Sequence, residues 1–276
     1  MMEFKASRGP RVILDPTSVL DIRSLYIAGV DLAPGRAIPD DGDPRIDHSL
    51  EGFLFTCGPD HIRHPEPLGG GREGRYPLHG SFSSHPAEIV SVGEVDGNVE
   101  CHARVPVRCA DGGSALLERH WRIDSQTGEV HLRDRVTNTG DSAFPPMLMY
   151  HMNIGAHLFD GNVRLSGAML EGGGMPWNFG EEPGGVFCVP AGFGGWAELR
   201  LGPIERVAGL TLKVRFRTDT LPFLQIWRNQ QAPAHVLGIE PVSHRWVGRA
   251  ELQQAGELPL MAPGESREYG LSFAFI

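Results

Sequence analysis

The chain has 276 residues, of which 41% are hydrophobic and 21% are charged, the balance of an ordinary globular protein. Its 25 Lys and Arg against 34 Asp and Glu give a net charge of -9, which disfavours nucleic acid as a partner because phosphate binding relies on basic side chains. No apolar run approaches the roughly 18 residues that a membrane-spanning helix needs, and the length suits a single domain over residues 1–276.

The four cysteines, Cys57, Cys101, Cys109 and Cys188, include no C-x-x-C pair, so a structural zinc site is not expected. The N-terminus lacks the apolar core of a signal peptide. We therefore expect a cytoplasmic protein whose thiols are free, whereas a bridge between Cys101 and Cys109 would require export.

Short apolar or alternating segments that end at turn residues recur along the chain. They include residues 11–15, 100–105, 129–136 and 208–216. In the third segment Val130 and Leu132 alternate with polar residues, as in a half-buried strand. Many short strands at this spacing are typical of a sandwich or barrel, so the sequence predicts a mainly β protein.

Helix formers are scarce, and only residues 114–120 and 243–254 are predicted to contain helices. Glycine-rich stretches at 69–71, 172–174 and 192–195 are predicted to be loops and not phosphate cradles, because no Lys-Ser/Thr pair follows them. Segment 171–190 carries Trp177 and Phe179 and is a candidate cover for a binding cleft.

His151 and Asn153 lie two residues apart at the end of a predicted buried strand, so their side chains should project from the same face. A titratable imidazole beside an amide suits binding and proton transfer at a polar ligand. The alternative is a core histidine that bonds only to the backbone.

Glu240 lies near the end of an apolar strand, where an ionised carboxylate is costly unless it is paired or hydrogen-bonded. It is therefore a candidate acid–base group. The alternative is a glutamate that faces solvent or is neutralised by Arg245.

A metal site is a further alternative, because His79, His85 and Glu88 are close in sequence and His151 offers a third imidazole. The H-x-H pairing of cupin-like sites is missing, and Pro86 interrupts the strand that would align the ligands. We expect neither a metal nor an organic cofactor. A serine hydrolase has no G-x-S-x-G motif, and a Cys57 nucleophile has no evident histidine partner.

Five segments, in matching order, resemble the galactose mutarotase (aldose 1-epimerase) superfamily, and more closely a less characterised bacterial branch similar to DUF4432. They are the G-F-L-F-T-C-G run at 52–58, P-L-H-G at 77–80, V-T-N-T-G with Y-H-M-N-I-G at 136–155, P-F-L-Q-I-W-R-N at 222–229, and G-I-E-P at 238–241 with P-G-E at 263–265. The resemblance covers most of the chain from about residue 50 onward.

The resemblance implies a β-supersandwich with few short helices and a sugar-binding cleft. It also implies that Glu240 is the base that removes the proton of the anomeric hydroxyl and that His151 is the acid that protonates the ring oxygen. We expect the pKa of His151 to lie near the usual value of about 6.5. His79 would help to hold the sugar.

The chain departs from the family pattern at several substrate contacts. Asn153 stands where mutarotases usually have a tyrosine, and Trp227 replaces the tyrosine that follows Gln225 in the Q-x-Y segment. Arg75 is a candidate for the arginine that often contacts the sugar, and Asp219 is a guess for the family's substrate-binding aspartate. These positions put the identity of the sugar in question.

The leading hypothesis is an isomerase of carbohydrate metabolism that interconverts the anomers of a free sugar or sugar derivative. The alternatives are a carbohydrate-binding protein that has lost turnover and, less favoured, a cupin-type metal enzyme. Arg63, Arg72, Arg75 and Arg228 give a modest argument for an anionic substrate, although a solvated surface with ordinary arginines is the favoured explanation.

Overall fold

The computed structural model describes residues 1–39, 42–43, 45–233 and 235–276. Within these residues the chain forms eighteen β-strands, four short 3-10 helices and two short α-helices. The strands and α-helices, in chain order, are β1 (Met2–Phe4), β2 (Arg11–Asp15), β3 (Asp21–Ile27), β4 (Val30–Asp31), α1 (Ile46–Ser49), β5 (Leu54–Cys57), β6 (Glu88–Val95), β7 (Asn98–Arg108), β8 (Ser114–Ile123), β9 (Val130–Asn138), β10 (Met149–Gly155), β11 (Arg164–Gly167), β12 (Gly174–Pro176), β13 (Gly184–Pro190), β14 (Trp196–Ile204), β15 (Leu210–Arg217), β16 (Phe223–Asn229), β17 (Val236–Val242), α2 (Arg249–Gln254) and β18 (Ser266–Phe275).

The described strands form two antiparallel sheets of nine strands each. The first sheet has the order β1-β2-β3-β5-β10-β17-β16-β13, with β4 beside β3, and the second has the order β12-β11-β14-β15-β18-β9-β8-β7-β6. The prediction of an all-β sandwich is therefore confirmed.

Alternation along the central strands of the first sheet separates the core from the candidate site. On β10, Tyr150 and Met152 belong to the large apolar cluster between the sheets, whereas Met149 belongs to a smaller cluster on the opposite face. Because successive strand residues point to opposite faces, His151 and Asn153 share the face of Met149. The same period places Gln225 and Glu240 on that face.

A buried ionic network ties the two sheets together behind this strand. The guanidinium of Arg119 on β8 donates to both carboxylate oxygens of Asp134 and to Asp21 and Thr56. Tyr150 donates its hydroxyl proton to Asp134 at 2.9 Å. Arg119 is the cation that both carboxylates of this network share, and burial raises the pKa of Asp21 to about 6.

Two local predictions were wrong, and a third was confirmed only in part. Residues 114–120 form strand β8 and not a helix, because alternate side chains from Ala115 to Ile123 are buried, a period of two that outweighs helix propensity. In segment 243–254 only α2 is helical. Segment 171–190 contributes β12 and β13 to the edges of the two sheets, and its Trp177 is buried, so it is not a cover over the cleft.

The four cysteines are free, as predicted. Among the described helices, none is long and apolar enough to span a bilayer.

Candidate active site

A cavity of about 250 Å³ opens on the face of the first sheet that carries His151 and Glu240. Its polar lining includes Arg63, His79, His151, Gln225 and Glu240. Its apolar and aromatic lining includes Ile38, Leu50, Leu78, Met149, Trp227 and Trp246. A mostly apolar pocket with a few converging polar groups is the usual form of a small-molecule site.

Glu240 is the buried carboxyl group of this cavity, with 1% of its side chain exposed. It stands opposite Gln225 in the register of β16 and β17, and the Gln225 amide donates to its Oε2 atom. Burial raises the pKa of Glu240 to about 8, against the opposing effects of the Gln225 hydrogen bond and the nearby Arg63 charge. At neutral pH the free protein therefore holds a proton on this carboxyl group.

His151 faces Glu240 across the strand pair β10–β17. The Nε2 atom of His151 lies 3.2 Å from Oε1 of Glu240. The imidazole stacks on Phe55, with 4.4 Å between ring centroids, and meets the edge of Trp227 at 5.5 Å. Burial, followed by the charge of His79, lowers the pKa of His151 well below its usual value, so the expected pKa near 6.5 is wrong for the empty cavity.

Asn153 lies behind His151. Its side-chain nitrogen donates to the Gly52 carbonyl at 3.2 Å, and the residue is fully buried. Nδ1 of His151 and Oδ1 of Asn153 have no hydrogen bond of standard geometry, yet the amide still raises the pKa of the imidazole. The contact is therefore favourable but loose, and it leaves Nε2 of His151 free to face Glu240.

His79 enters the cavity from a tight turn and not from a strand. Its φ of 59° is in the left-handed region, and Gly80 follows with φ 85°. A Cβ atom on Gly80 would lie 2.1 Å from the carbonyl oxygen of His61, so only glycine fits there. This close packing explains the His-Gly pair in the sequence.

A buried carboxylate lies behind His79. Oδ2 of Asp47 on α1 is 3.8 Å from Nδ1 of His79, and within the described part of the chain neither the two Asp47 oxygens nor this nitrogen has a hydrogen-bond partner. Sequence reasoning missed Asp47, because it lies in a polar segment without strand or helix periodicity.

The sequence profile of a family described as a domain of unknown function, DUF4432, matches residues 21–170 and 199–275. The chain belongs to the DUF4432 family. No curated protein matches the chain.

Solved structures give this DUF4432 protein the galactose mutarotase-like fold. A proposed aldose 1-epimerase from Klebsiella pneumoniae has a TM-score of 0.77 at 17% identity, over 97% of this chain and 77% of that one. A galactose mutarotase related enzyme from Lactobacillus acidophilus has a TM-score of 0.69 at 11% identity, over 100% and 97%. A homologue of aldose epimerase from C. elegans has a TM-score of 0.62 at 14% identity, over 100% and 98%. At these identities the likeness concerns the fold alone.

Of the predicted site residues in the DUF4432 chain, five line the cavity together. These are His79, His151, Gln225, Trp227 and Glu240. Arg245 does not neutralise Glu240, because it pairs with Glu251 and Glu257 instead.

Three other candidates for sugar contact lie elsewhere. Asn153 is fully buried behind His151 and does not line the cavity. Arg75 is exposed and donates to the Pro65 carbonyl at 2.7 Å. Asp219 forms a 3.0 Å ion pair with Arg217 and does not line the cavity. Their positions in the sequence gave no indication of which way their side chains point.

In the cupin-like alternative, His85 and Glu88 do not join His79 and His151 at the cavity. Nδ1 of His85 contacts the Ser81 carbonyl, and its Nε2 accepts the backbone N–H of Arg108. Glu88 is exposed on β6. Among the described residues, a group with ligand atoms within 4.8 Å of one another is formed by Glu100, His102 and His120, none of which lines the cavity.

Gly238 leaves the space that the carboxyl group of Glu240 occupies. The two residues share one face of β17, and a Cβ atom on Gly238 would lie 2.5 Å from Oε1 of Glu240 and 3.1 Å from the Trp227 ring. The G-I-E segment therefore has a packing reason for its glycine.

Proposed function

We propose that this DUF4432 protein is an isomerase that interconverts the anomers of a monosaccharide or monosaccharide derivative. The observation that carries the proposal is the approach of Nε2 of His151 to Oε1 of Glu240, 3.2 Å apart in a cavity lined by both groups. The cavity of about 250 Å³ lies near the lower end of the usual range for small-molecule sites, roughly 300–1,000 Å³. This size favours one sugar ring over an oligosaccharide.

Anomer exchange needs two proton transfers and no net change in protons. The anomeric hydroxyl loses its proton as the C1–ring oxygen bond breaks, and the ring oxygen gains one. The resulting aldehyde turns, and the ring closes on its other face with both transfers reversed. A pair that shares one proton suits this cycle, because one member accepts while the other donates.

We assign Glu240 to the anomeric hydroxyl and His151 to the ring oxygen, as the family resemblance implies. In the free protein the shared proton is on Glu240, since burial raises the pKa of Glu240 and lowers that of His151. A sugar hydroxyl that donates to Glu240 stabilises its carboxylate form. The proton then passes to His151, which gives the carboxylate and imidazolium that ring opening requires.

The remaining cavity residues hold the ring. Gln225 fixes the orientation of the Glu240 carboxyl group through its amide donor. His79, whose ring centroid is 5.6 Å from that of His151, is positioned to bond a sugar hydroxyl. The Trp227 indole offers an apolar surface for a sugar face, with the amphipathic character that suits such contacts.

The test is the rate of anomer exchange for a broad sugar panel, measured by exchange NMR with wild type and with Glu240→Gln. We expect at least one sugar to exchange well above its uncatalysed rate in wild type only. Saturable sugar binding by both proteins without any exchange would instead identify a binding protein. If no sugar in the panel is bound or exchanged, both the isomerase and the sugar-binding function are contradicted.

A further inference from the structure

One cation in the cavity has no ionic partner. Arg63, which follows β5, has only 8% of its surface exposed and lines the cavity beside Trp246. Its guanidinium donates to the carbonyl oxygens of His244 at 3.1 Å and Arg245 at 2.7 Å, with a longer contact to Val247 at 3.5 Å. Its Nε atom is buried without a hydrogen-bond partner.

Backbone carbonyls satisfy N–H donors, but they do not carry a full negative charge. A buried charge without a counter-charge is unfavourable in a protein interior. Among the described residues, the ion pairs within 4.0 Å include none to Arg63. Burial accordingly has the largest effect on the pKa of Arg63 and lowers it.

The same fold shows how a buried arginine is normally balanced. The other described arginine that is more than nine-tenths buried is Arg119, which pairs with Asp21 and Asp134 at 2.7 Å each. Arg63 donates instead to backbone carbonyls, and it lines the cavity. The missing negative charge is therefore one that a ligand can bring.

Glu240 forms no direct ion pair with Arg63, and the two charges interact only from beyond 4.0 Å. Its Oε2 atom accepts from Gln225 and its Oε1 atom faces His151, so both oxygens have other neighbours. The Trp246 ring lies 5.0 Å from the Arg63 guanidinium and screens it from solvent on one side. An anion that enters the cavity would thus meet Arg63 in a largely dry environment, where charge-assisted hydrogen bonds are strongest.

We propose that the substrate of this cavity is a monosaccharide with an anionic substituent, a carboxylate or a phosphate, and that Arg63 binds that substituent. The proposal rests on the anomerase function above for its sugar ring, and on Arg63 for the charge. Arg63 acts here as a specificity-determining residue and takes no part in proton transfer.

The experiment compares matched sugars with wild-type protein. The anionic arms are glucuronate, galacturonate and the 6-phosphates of glucose and galactose, and the neutral arms are glucose and galactose. We expect kcat/KM for the best anionic sugar to exceed that of its neutral counterpart on the order of 10- to 100-fold, the usual value of a hydrogen bond to a charged group. Comparison of kcat/KM between the uronates and the sugar phosphates shows whether the anionic substituent is a carboxylate or a phosphate.

Two variants test whether Arg63 is responsible. Arg63→Met should remove most of the preference, measured as the ratio of kcat/KM for the anionic sugar to kcat/KM for its neutral counterpart, because this ratio cancels any effect of the variant that both sugars share. Arg75→Met is the matched control, because that arginine is exposed outside the cavity, and it should keep the wild-type preference. Thermal unfolding shows whether each variant is folded. If Arg63→Met does not fold, Arg63→Lys, which retains the charge but not the shape of the guanidinium, replaces it as the test variant.

The outcomes separate this inference from the proposed function. Equal or faster exchange of neutral sugars by wild type would overturn the anionic substrate and leave the anomerase intact. If no sugar is exchanged, saturation-transfer NMR measures which sugars bind to the protein. Binding of a charged sugar but not its neutral counterpart then supports the Arg63 site without the reaction, and equal or absent binding overturns it.

Discussion

His151 and Glu240 stand 3.2 Å apart, as an imidazole that resists protonation beside a carboxyl group that retains its proton. Carboxylic acid with neutral imidazole contains as many protons as carboxylate with imidazolium. The pair is therefore best treated as one unit that holds a single proton, with apparent pKa values that belong to the pair.

The pH dependence of kcat/KM follows from this shared proton. Activity should fall above about pH 8, where Glu240 loses the proton. On the acid side it should fall only well below pH 6.5, where His151 binds a second proton. A profile measured from pH 4 to 10 checks both limbs. A rate that already declines between pH 6.5 and 7.5 would contradict the assignment.

Glu240→Gln should remove catalysis and stabilise the protein. The pKa of Glu240 is raised from 4.5 in a reference state to about 8 when folded, so ionisation opposes folding. The cost is absent below pH 4.5, grows as pH rises and is complete above pH 8. At about 1.4 kcal/mol per pKa unit the gain at pH 9 is on the order of 5 kcal/mol.

Urea unfolding of wild type and Glu240→Gln at pH 5 and pH 9 measures this gain. The difference in unfolding free energy should be small at pH 5 and large at pH 9. Glu257→Gln is a suitable control, since that carboxylate is partly exposed and pairs with Arg245. A pH-independent difference for Glu240→Gln would mean that packing, and not ionisation, is responsible.

The sequence predicts the strands of this fold better than its short helices. Alternation along residues 129–136 corresponds closely to β9, and the period of two places His151 on the face opposite Tyr150. Segment 114–120 has the same period of two in the structure, but one of its inward positions is Arg119, which pairs with Asp21 and Asp134. An inward arginine looks polar in the sequence, so it hides the alternation of this strand.

The strand residues of the site were predicted because they lie in the segments that carry the family resemblance, since β10 and β17 are buried throughout and show no alternating pattern of their own. Arg75, Asp219 and Asp47 show the limit of that reasoning. Loop side chains have no period, and α1 is only four residues long, so nothing in the sequence indicates that Arg75 faces solvent or that Asp47 on α1 reaches His79 at 3.8 Å.

Asp47→Asn should weaken sugar binding through His79. Loss of the carboxylate at 3.8 Å frees the imidazole to reorient, and we expect KM to rise about 10-fold with kcat nearly unchanged, the pattern for lost uniform binding. His79→Asn, whose side chain tolerates the left-handed backbone, should raise KM similarly. The double variant should be no worse than His79→Asn alone, whereas additive effects would show that Asp47 acts independently.

Arg119→Met should destabilise the sandwich by about 3–5 kcal/mol, because it leaves two buried carboxylates without their cation. Urea unfolding measures the loss. Arg104→Met is the matched control on the preceding strand β7, since its ion pair with Glu118 is largely exposed, and it should cost less than about 1 kcal/mol. Equal costs for the two variants would mean that the network is not the source of the stability.

Gly238→Ala tests whether the position of Glu240 limits the rate. The added Cβ would lie 2.5 Å from Oε1 of Glu240 and 3.1 Å from the Trp227 ring, so the carboxyl group must move away from His151. The backbone of Gly238 is ordinary strand, so the fold should survive with a modest loss of stability. A displacement of about 1 Å in a catalytic group costs on the order of 10²-fold in rate.

Exchange NMR should show this loss in kcat while the circular dichroism spectrum is unchanged. Gly185→Ala on β13, where a Cβ meets nothing within 4 Å, is the control and should retain full activity. Unchanged kcat in Gly238→Ala would show that the carboxyl group does not need its present position, and the assignment of Glu240 as the base would then fail.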